Sequence, residues 1–492
     1  MSLIQSNTQF MLENIKNSFQ DRKRLWIIGA IVIVLIIAVV VVFFSTRPKS
    51  KSVASIPINL TWWQTGDIKA ADYDQVIANF RKIPGNASIS IDIQDKSLDD
   101  QYYYKLLTDY ARDIAPDIFT IRNDDLPAYK EYLSPIDVIN GKSLVDYQQN
   151  FVNLAVKDTM DKDKVFGVTS YVDNLELFYN KKLLDQNAVT RPPSSWNELT
   201  RQIPLITKKA LDGNSFLTST IALGTGGRTP QGEPNIENHS DIIPLLIFQN
   251  GGTVYDTQNK IVTLDKQNNS NQKTSAATSF SDDSNKSDAY KALRFYLDFA
   301  DNTTQNYTWN RDSAKSIQTF TQGNLAYIIQ YKSFANTIKK LNNRLNFDVT
   351  SIPQLNDSDP ATFGRFYMSV LNRKLSTGTD ANAKARYQKA QEFMQYLTTH
   401  EAQQSMTDKT GLPSSNRSVN SKQQDGDQTT RIFAKGAIYA QNYYKPDVAE
   451  TEKVWSNLFE RVQYRNETLD QSLNEATNDY QRLVELGPRT RR

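Results

Sequence analysis

Hydrophobic positions along the chain follow distinct patterns, each predicting different elements. From residue 25 to residue 44 they form one unbroken run that opens Leu-Trp-Ile-Ile and closes Val-Val-Phe-Phe. A run of about 20 residues is long enough to cross a hydrocarbon core of roughly 30 Å as a helix. β-Branched residues dominate it and would favour a strand in water, but in lipid every backbone group must be bonded within the segment, which requires a helix. From residue 56 onward, short blocks rich in branched and aromatic residues alternate with amphipathic stretches of helical period. The blocks 56–63, 88–94, 165–181, 347–353 and 362–371 read as strands, and 72–83, 100–112, 242–250, 289–300, 383–398 and 469–486 as helices. Helices are also expected at 196–210, kinked at Pro204, and at 401–406 and 455–462. Strands alternating with helices predict an α/β fold. One interior stretch, 266–288, is built from Asn, Ser, Gln, Lys and Asp and is too poor in apolar residues to order itself, so it reads as a flexible surface insertion.

The apolar run exceeds the roughly 7–15 residues of a cleavable signal, and no small-x-small site follows it closely, so it is expected to remain as a signal anchor. Arg22-Lys23-Arg24 precede it as a tight basic triplet, while Arg47, Lys49 and Lys51 follow more loosely. The triplet favours an inside N-terminus: residues 1–24 form a cytoplasmic tail, 25–44 the membrane helix in contact with the lipid bilayer, 45–56 a polar linker, and the rest lies outside the cell. In the tail, Met11, Ile15 and Phe19 recur at four-residue spacing and suggest a short helix. More than 430 residues remain beyond the membrane segment, natural for two lobes.

Charge narrows the function. Lys plus Arg is 57 against 54 Asp plus Glu, a net charge of +3, which gives no basic face for nucleic acid. Cysteine is absent, so disulfides, thiolate metal sites and a lipid-modified N-terminal cysteine are all excluded. His239 and His400 are the only histidines, expected in surface contexts, and neither stands in a zinc-hydrolase motif. Ile221-Ala-Leu-Gly-Thr-Gly-Gly227 lacks the Gly-Lys-Ser/Thr of a phosphate loop, and no Gly-x-Ser-x-Gly occurs. No cofactor, metal ligand or catalytic residue is expected, although two carboxylates of a glycosidase remain open at this level. Tyrosine (24) and phenylalanine (22) are plentiful, enough to supply the flat apolar faces a sugar needs.

The central landmark is Val165-Phe-Gly-Val-Thr-Ser-Tyr-Val-Asp-Asn-Leu-Glu-Leu-Phe-Tyr-Asn-Lys181, two strand-like blocks with a polar break at Asp173-Asn174. It is followed by Lys182-Leu183-Leu184 and Arg191-Pro-Pro-Ser-Ser-Trp196. Ala115-Pro-Asp117, Leu133-Ser-Pro-Ile-Asp137, Gly251-Gly252, the helix–glycine–strand series 317–331, the block 362–371 and Gly411-Leu-Pro413 stand in a fitting order around it. Over most of residues 57–480 this series resembles the extracellular solute-binding proteins of ATP-binding-cassette importers, the carbohydrate-binding branch in particular. The resemblance implies a two-lobed, periplasmic-binding-protein-like α/β fold with hinge crossings. Lobe one would comprise 57–173 and 365–435, and lobe two 174–364 and 436–486. It implies a monomeric receptor that closes on a sugar or similar polar solute and hands it to a membrane permease.

Ligands in open α/β sheets sit at the carboxyl ends of strands, which singles out Trp62, Trp63, Gln64 and Asp67 after the first strand. Successive strand residues face opposite ways, so one tryptophan is core while the other faces the cleft. Asp117 reads as structural and Asp124 as a ligand carboxylate, since a carboxylate accepts hydroxyl hydrogens in charge-assisted bonds. The resemblance adds Tyr171 and Asp173 at the first crossing, and Tyr331 and Phe334 at a strand tip where relatives often carry a tryptophan that is missing here. Gly364 is expected at a close backbone approach in the second crossing, with Arg365 and Phe366 beside it, and Trp455 at the last. A receptor for peptides or other small solutes, and an envelope glycan sensor without transport, are the alternatives; a glycosidase ranks behind them.

Overall fold

The computed structural model describes residues 57–97, 100–137, 144–227, 232–266, 280, 283 and 285–490. The expected tail, membrane helix and linker lie outside the described residues, as does most of the 266–288 insertion. Among the described residues no helix is long and apolar enough to cross a membrane.

In chain order the strands that matter are β1 (Ile58–Gln64), β2 (Ile89–Asp95), β3 (Ile118–Arg122), β4 (Leu133–Ser134), β5 (Gly167–Val168), β6 (Asp173–Asn180), β7 (Lys208–Lys209), β8 (Phe216–Ile221), β9 (Leu325–Tyr331), β10 (Phe347–Thr350), β11 (Thr362–Arg365), β12 (Tyr367–Asn372) and β13 (Ala440–Gln441). They form two main sheets. The first runs β2-β1-β3-β12-β4, with β5 also on β12; the second runs β13-β11-β6-β9-β8-β7, with β10 also on β6. β1 is parallel to β2 and β3, and β8 to β9, so their carboxyl ends share a side within each sheet. The helices used below are α1 (Asp74–Lys82), α2 (Asp100–Ala111), α3 (Trp196–Ile206), α4 (His239–Gln249), α5 (Ala381–Leu397), α6 (Gln428–Tyr439), α7 (Val448–Tyr464) and α8 (Leu469–Leu486).

Each sheet has its own apolar core. One gathers Leu60, Trp62, Val76, Phe80, Phe119, Val370 and Phe393 around the first sheet, where α1 and α5 lay their apolar faces. The other gathers Leu177, Phe178, Trp196, Leu246, Tyr296, Ile329 and Trp455 around the second. α1 shows how the pattern works: Val76, Ile77 and Phe80 fall on one side at helical spacing and are buried, while Arg81 and Lys82 occupy the last turn, where cations favour the dipole. α3 starts where the sequence places it, with Ser195 accepting from the Glu198 amide as N-cap, but it stops at Ile206 and the chain turns into β7.

The chain passes between the cores along adjacent strands. Asp173 and Asn174 are not a break: they open β6, every residue of which is buried. β11 and β12 are separated only by Phe366, so the chain leaves the second sheet and enters the first within one residue. Asn174 pairs with Gly364 and Asp173 with Arg365, antiparallel, and β13 runs parallel to β11 with Thr362 opposite Ala440. Gly364 is needed there, because a Cβ would come within 2.7 Å of both the Ala440 Cβ and a Leu154 methyl.

The third passage runs through α6, a helix absent from the sequence-based expectations: Phe433 packs in the second core and Ala437 in the first. At Gly436 this helix lies directly on β6, where a Cβ would overlap Asn174 Oδ1 and Glu176 Oε1. Glu176 is fully buried; its Oε2 accepts from the Ile352 amide at 2.6 Å, and its Oε1 has no partner under an ionised assignment. Burial pushes its carboxyl well above the ordinary range, which favours the protonated form. A protonated Oε1 has Asn174 Oδ1, also unpaired, beside it as acceptor. Gly436→Ala is therefore expected to destabilise the protein by about 1–3 kcal/mol through overpacking, while the isosteric Glu176→Gln leaves the melting temperature unchanged or raises it. Thermal unfolding of the full-length variants checks both; a marked loss in Glu176→Gln would mean that the carboxylate is charged.

Candidate functional site

The polar residues from both cores meet beside these passages. After β1 the chain turns through Gln64, whose amide donates to the carbonyls of Thr65 (2.8 Å) and Ile68 (3.1 Å) and accepts from Thr120 Oγ1 (2.8 Å). This fastens the turn to β3 and delivers Asp67, which accepts from the Tyr171 hydroxyl at 2.9 Å. The same hydroxyl accepts from the Tyr367 amide (3.2 Å), so Asp67 is tied to the second passage.

At the carboxyl end of β3, Arg122 grips Asp124 with two parallel hydrogen bonds of 2.7 and 2.5 Å, and its guanidinium also reaches Glu452 of α7 at 3.5 Å. Asn123 exchanges hydrogen bonds with the Phe366 backbone, its amide donating to the carbonyl (3.0 Å) and its side-chain oxygen accepting from the amide (3.1 Å). Asp124 is thus held between Arg122 and the ammonium of Lys445, 3.0 Å away. Lys445 is 1% exposed and lies 3.8 Å from Asp241 of α4 on its other side, with the Tyr443 and Phe363 rings at 5.1 and 5.4 Å. Burial alone would lower its pKa, but Asp124 and Asp241 outweigh burial and hold it above its ordinary value.

Asp173 is fully buried at the start of β6. It accepts from the amides of Asn174, Lys332 and Ser333, all at 2.9 Å, so the first passage is pinned to the chain leaving β9. Burial, helped by the neighbouring Asp67 charge, pushes its carboxyl up to about 6 against the pull of those amides. At the tip of β9 the Tyr331 hydroxyl donates to Asp241 (2.8 Å), and the Arg365 guanidinium lies over its ring at 3.8 Å.

The structure sorts the sequence-derived candidates into two sets. Asp67, Asp124, Tyr171, Asp173, Tyr331 and Arg365 converge on this cluster. Trp62, Trp63, Gln64, Phe366 and Trp455 do not present a free face to it. Trp62 is fully enclosed by Tyr73 and Phe393, with its Nε1 donating to Thr120. Trp63 turns to the other side of the sheet, against Tyr102 and the ammonium groups of Lys96 and Lys105. Gln64 spends its amide within the turn, and Phe366 lies wholly in the first core. Trp455 is not at a passage at all: it sits inside α7, buried in the second core, with Nε1 donating to the Tyr443 hydroxyl at 2.9 Å. Phe334 is half-buried against the same core. His239, expected at the surface, is buried at the start of α4 and bonded to the Ile236 carbonyl.

Sequence reasoning missed Arg122, Asp241, Tyr443 and Lys445. Arg122 was accessible, since an Arg two residues before an Asp at a strand end invites a local pair. Asp241 and Lys445 are 204 positions apart and carry no motif.

The family model described as bacterial extracellular solute-binding protein matches residues 75–434. The chain belongs to the bacterial extracellular solute-binding family. Proteins of this family are binding proteins, and their solute-binding domains work outside the cytoplasm. Solved solute-binding proteins with the same two-lobed fold include a cyclo/maltodextrin-binding protein complexed with maltotetraose (TM-score 0.65, 18% identity, covering 90% of this chain and 100% of that one). The cyclic alpha-maltosyl-1,6-maltose binding protein of Arthrobacter globiformis matches with a TM-score of 0.65 and 16% identity, over 88% of this chain and 100% of that one. The sugar-binding protein MalE of Xanthomonas citri matches at 0.64 and 18%, over 87% and 98%. A search of curated proteins by sequence returned no significant match.

Proposed function

We propose that this solute-binding protein is a membrane-tethered receptor, anchored through residues 25–44. It captures a sugar or oligosaccharide between lobe one (57–173 and 365–435) and lobe two (174–364 and 436–486) and delivers it to the permease of an ATP-binding-cassette importer. The observation that carries this is the cluster Asp67, Asp124, Asp173, Asp241, Arg365 and Lys445, drawn from both cores and seated on the adjacent passages; Asp124, Asp173 and Lys445 brace it, while Asp67, Asp241 and Arg365 keep hydrogen-bonding capacity for a solute. A polyhydroxylated solute needs a dense belt of hydrogen-bonding groups, and a solute touching both lobes binds the closed form better and so shifts the population toward closure. The sugars named for the structural neighbours support the choice of solute. Binding rather than glycoside hydrolysis is favoured because Asp124 and Asp173 are fully engaged by internal donors, leaving neither as a free acid or base. The protein acts as a monomer near its permease, at a local concentration set by the linker.

A thermal-shift panel of mono- and oligosaccharides, peptides, amino acids and polyamines on the full-length protein tests this. Saccharides are expected to stabilise it, by about 2.7 kcal/mol at a hundredfold excess over Kd, and Asp67→Ala and Asp241→Asn to shrink that gain. Stabilisation by peptides or polyamines with none by saccharides would transfer the site to another solute, and hydrolysis of a bound saccharide would make it an enzyme.

A further inference from the structure

The carboxylates and cations of this cluster differ in how much of their hydrogen-bonding capacity is already used inside the protein. Asp124 accepts twice from Arg122 and once from Lys445. Asp241 accepts from Tyr331 and faces Lys445. Asp173 accepts from backbone amides, and Asp67 accepts from Tyr171. Of the cations, Arg122 and Lys445 are spent on these same carboxylates, and Lys332 turns its ammonium toward the Phe433 ring of α6 at 5.8 Å. Arg365 is different. Its guanidinium lies over the Tyr331 ring at 3.8 Å and its Nε is buried without a partner; among the described residues no hydrogen bond or close ion pair holds it, and Asp67, Asp173 and Asp241 act on it only from a longer distance.

A guanidinium stacked on an aromatic ring is fixed in orientation while its N–H edges stay free, and that planar fork matches a carboxylate bidentately. Its stacking also covers the Tyr331 face on which a neutral sugar ring would otherwise rest. A cationic solute would find Asp124 already paired with Arg122 and Lys445, and Asp173 turned to backbone amides. From this pattern we infer that the saccharide taken here is acidic: a uronic acid, or an oligosaccharide containing one, whose carboxylate seats on Arg365 while Asp67 accepts from a neighbouring hydroxyl. The inference rests on the reading of the cleft as a saccharide site and narrows it to one chemical class.

Titration calorimetry on the full-length protein in detergent micelles separates the possibilities. The probes are oligogalacturonate and a glucuronate-containing oligosaccharide, the methyl ester of each, and a neutral malto-oligosaccharide of equal length. Each ester keeps the shape of its acid and removes only the charge. One of the acids is expected to bind about ten- to a hundredfold more tightly than its own ester, the range of a charge-assisted pair. Arg365→Gln should bring that ratio toward one, and Arg365→Lys, which keeps the charge but loses the fork, should lower it less. Thermal unfolding of both variants shows whether they fold. Equal affinity for acids and esters, or a ratio that survives Arg365→Gln in folded protein, overturns the inference. Binding of the neutral saccharide with none of the acids overturns it while leaving the saccharide site standing; failure of every saccharide overturns both.

Discussion

Lys445→Met is expected to destabilise the protein by about 3–5 kcal/mol, the cost of leaving buried charges without their counterion. The ammonium is 1% exposed and lies between Asp124, in a segment leading from the first sheet, and Asp241, on a helix of the second core. Once it is removed, Asp241 keeps the Tyr331 hydroxyl and Asp124 keeps Arg122, but both lose the buried cation between them. Two carboxylates then face a poorly solvated space without the cation that lay between them. Adding Asp124→Asn to Lys445→Met should recover part of the loss, because it removes the charge that was stranded. Urea denaturation of the single and double variants measures this coupling. A Lys445→Met protein as stable as the parent would mean that the ammonium reaches water by another route.

Trp455→Ala is expected to cost about 3–5 kcal/mol as well, through a cavity in the second core and an orphaned hydroxyl. The indole is buried in the second core, and its Nε1 serves the Tyr443 hydroxyl. Trp455→Phe keeps most of the volume and loses the donor, so it should cost much less. In both variants the loss belongs in the denaturation midpoint rather than in the ligand affinity of the folded protein. A variant of unchanged midpoint that no longer binds saccharide would return Trp455 to the cleft.

These two residues show where reading the chain succeeds and where it stops. Trp455 was assigned to the ligand because an aromatic near an expected passage is chemically suitable for stacking. The real passage lies 10 or more residues earlier, at β13 and Lys445. The helix before it, α6, is not among the elements read from the sequence; its first turn is polar and its apolar residues serve two cores in succession. Trp62 fails for another reason. Position at the carboxyl end of a strand was read correctly, but the alternation that assigns faces does not say whether a neighbouring helix covers both. Here Tyr73, just before α1, and Phe393 of α5 close over Trp62, and Tyr102 of α2 lies against Trp63.

Local pattern by itself determined the α/β class, most element positions and the order of motifs that place the chain in its family. Strand and helix periods and glycine or proline punctuation act over a few residues and can be read one window at a time. Asp67, Asp173 and Arg365 were also within reach, because each stands at a strand end or passage that those windows locate. The tertiary structure alone decided which groups are already spent. Whether Asp124 is free for a hydroxyl depends on Lys445, 321 positions away, and whether Tyr331 offers a stacking face depends on Arg365 lying over it. A hydrogen bond or ion pair between distant segments leaves no periodic trace in either one, since its strength depends on burial and distance and neither is a property of the local sequence.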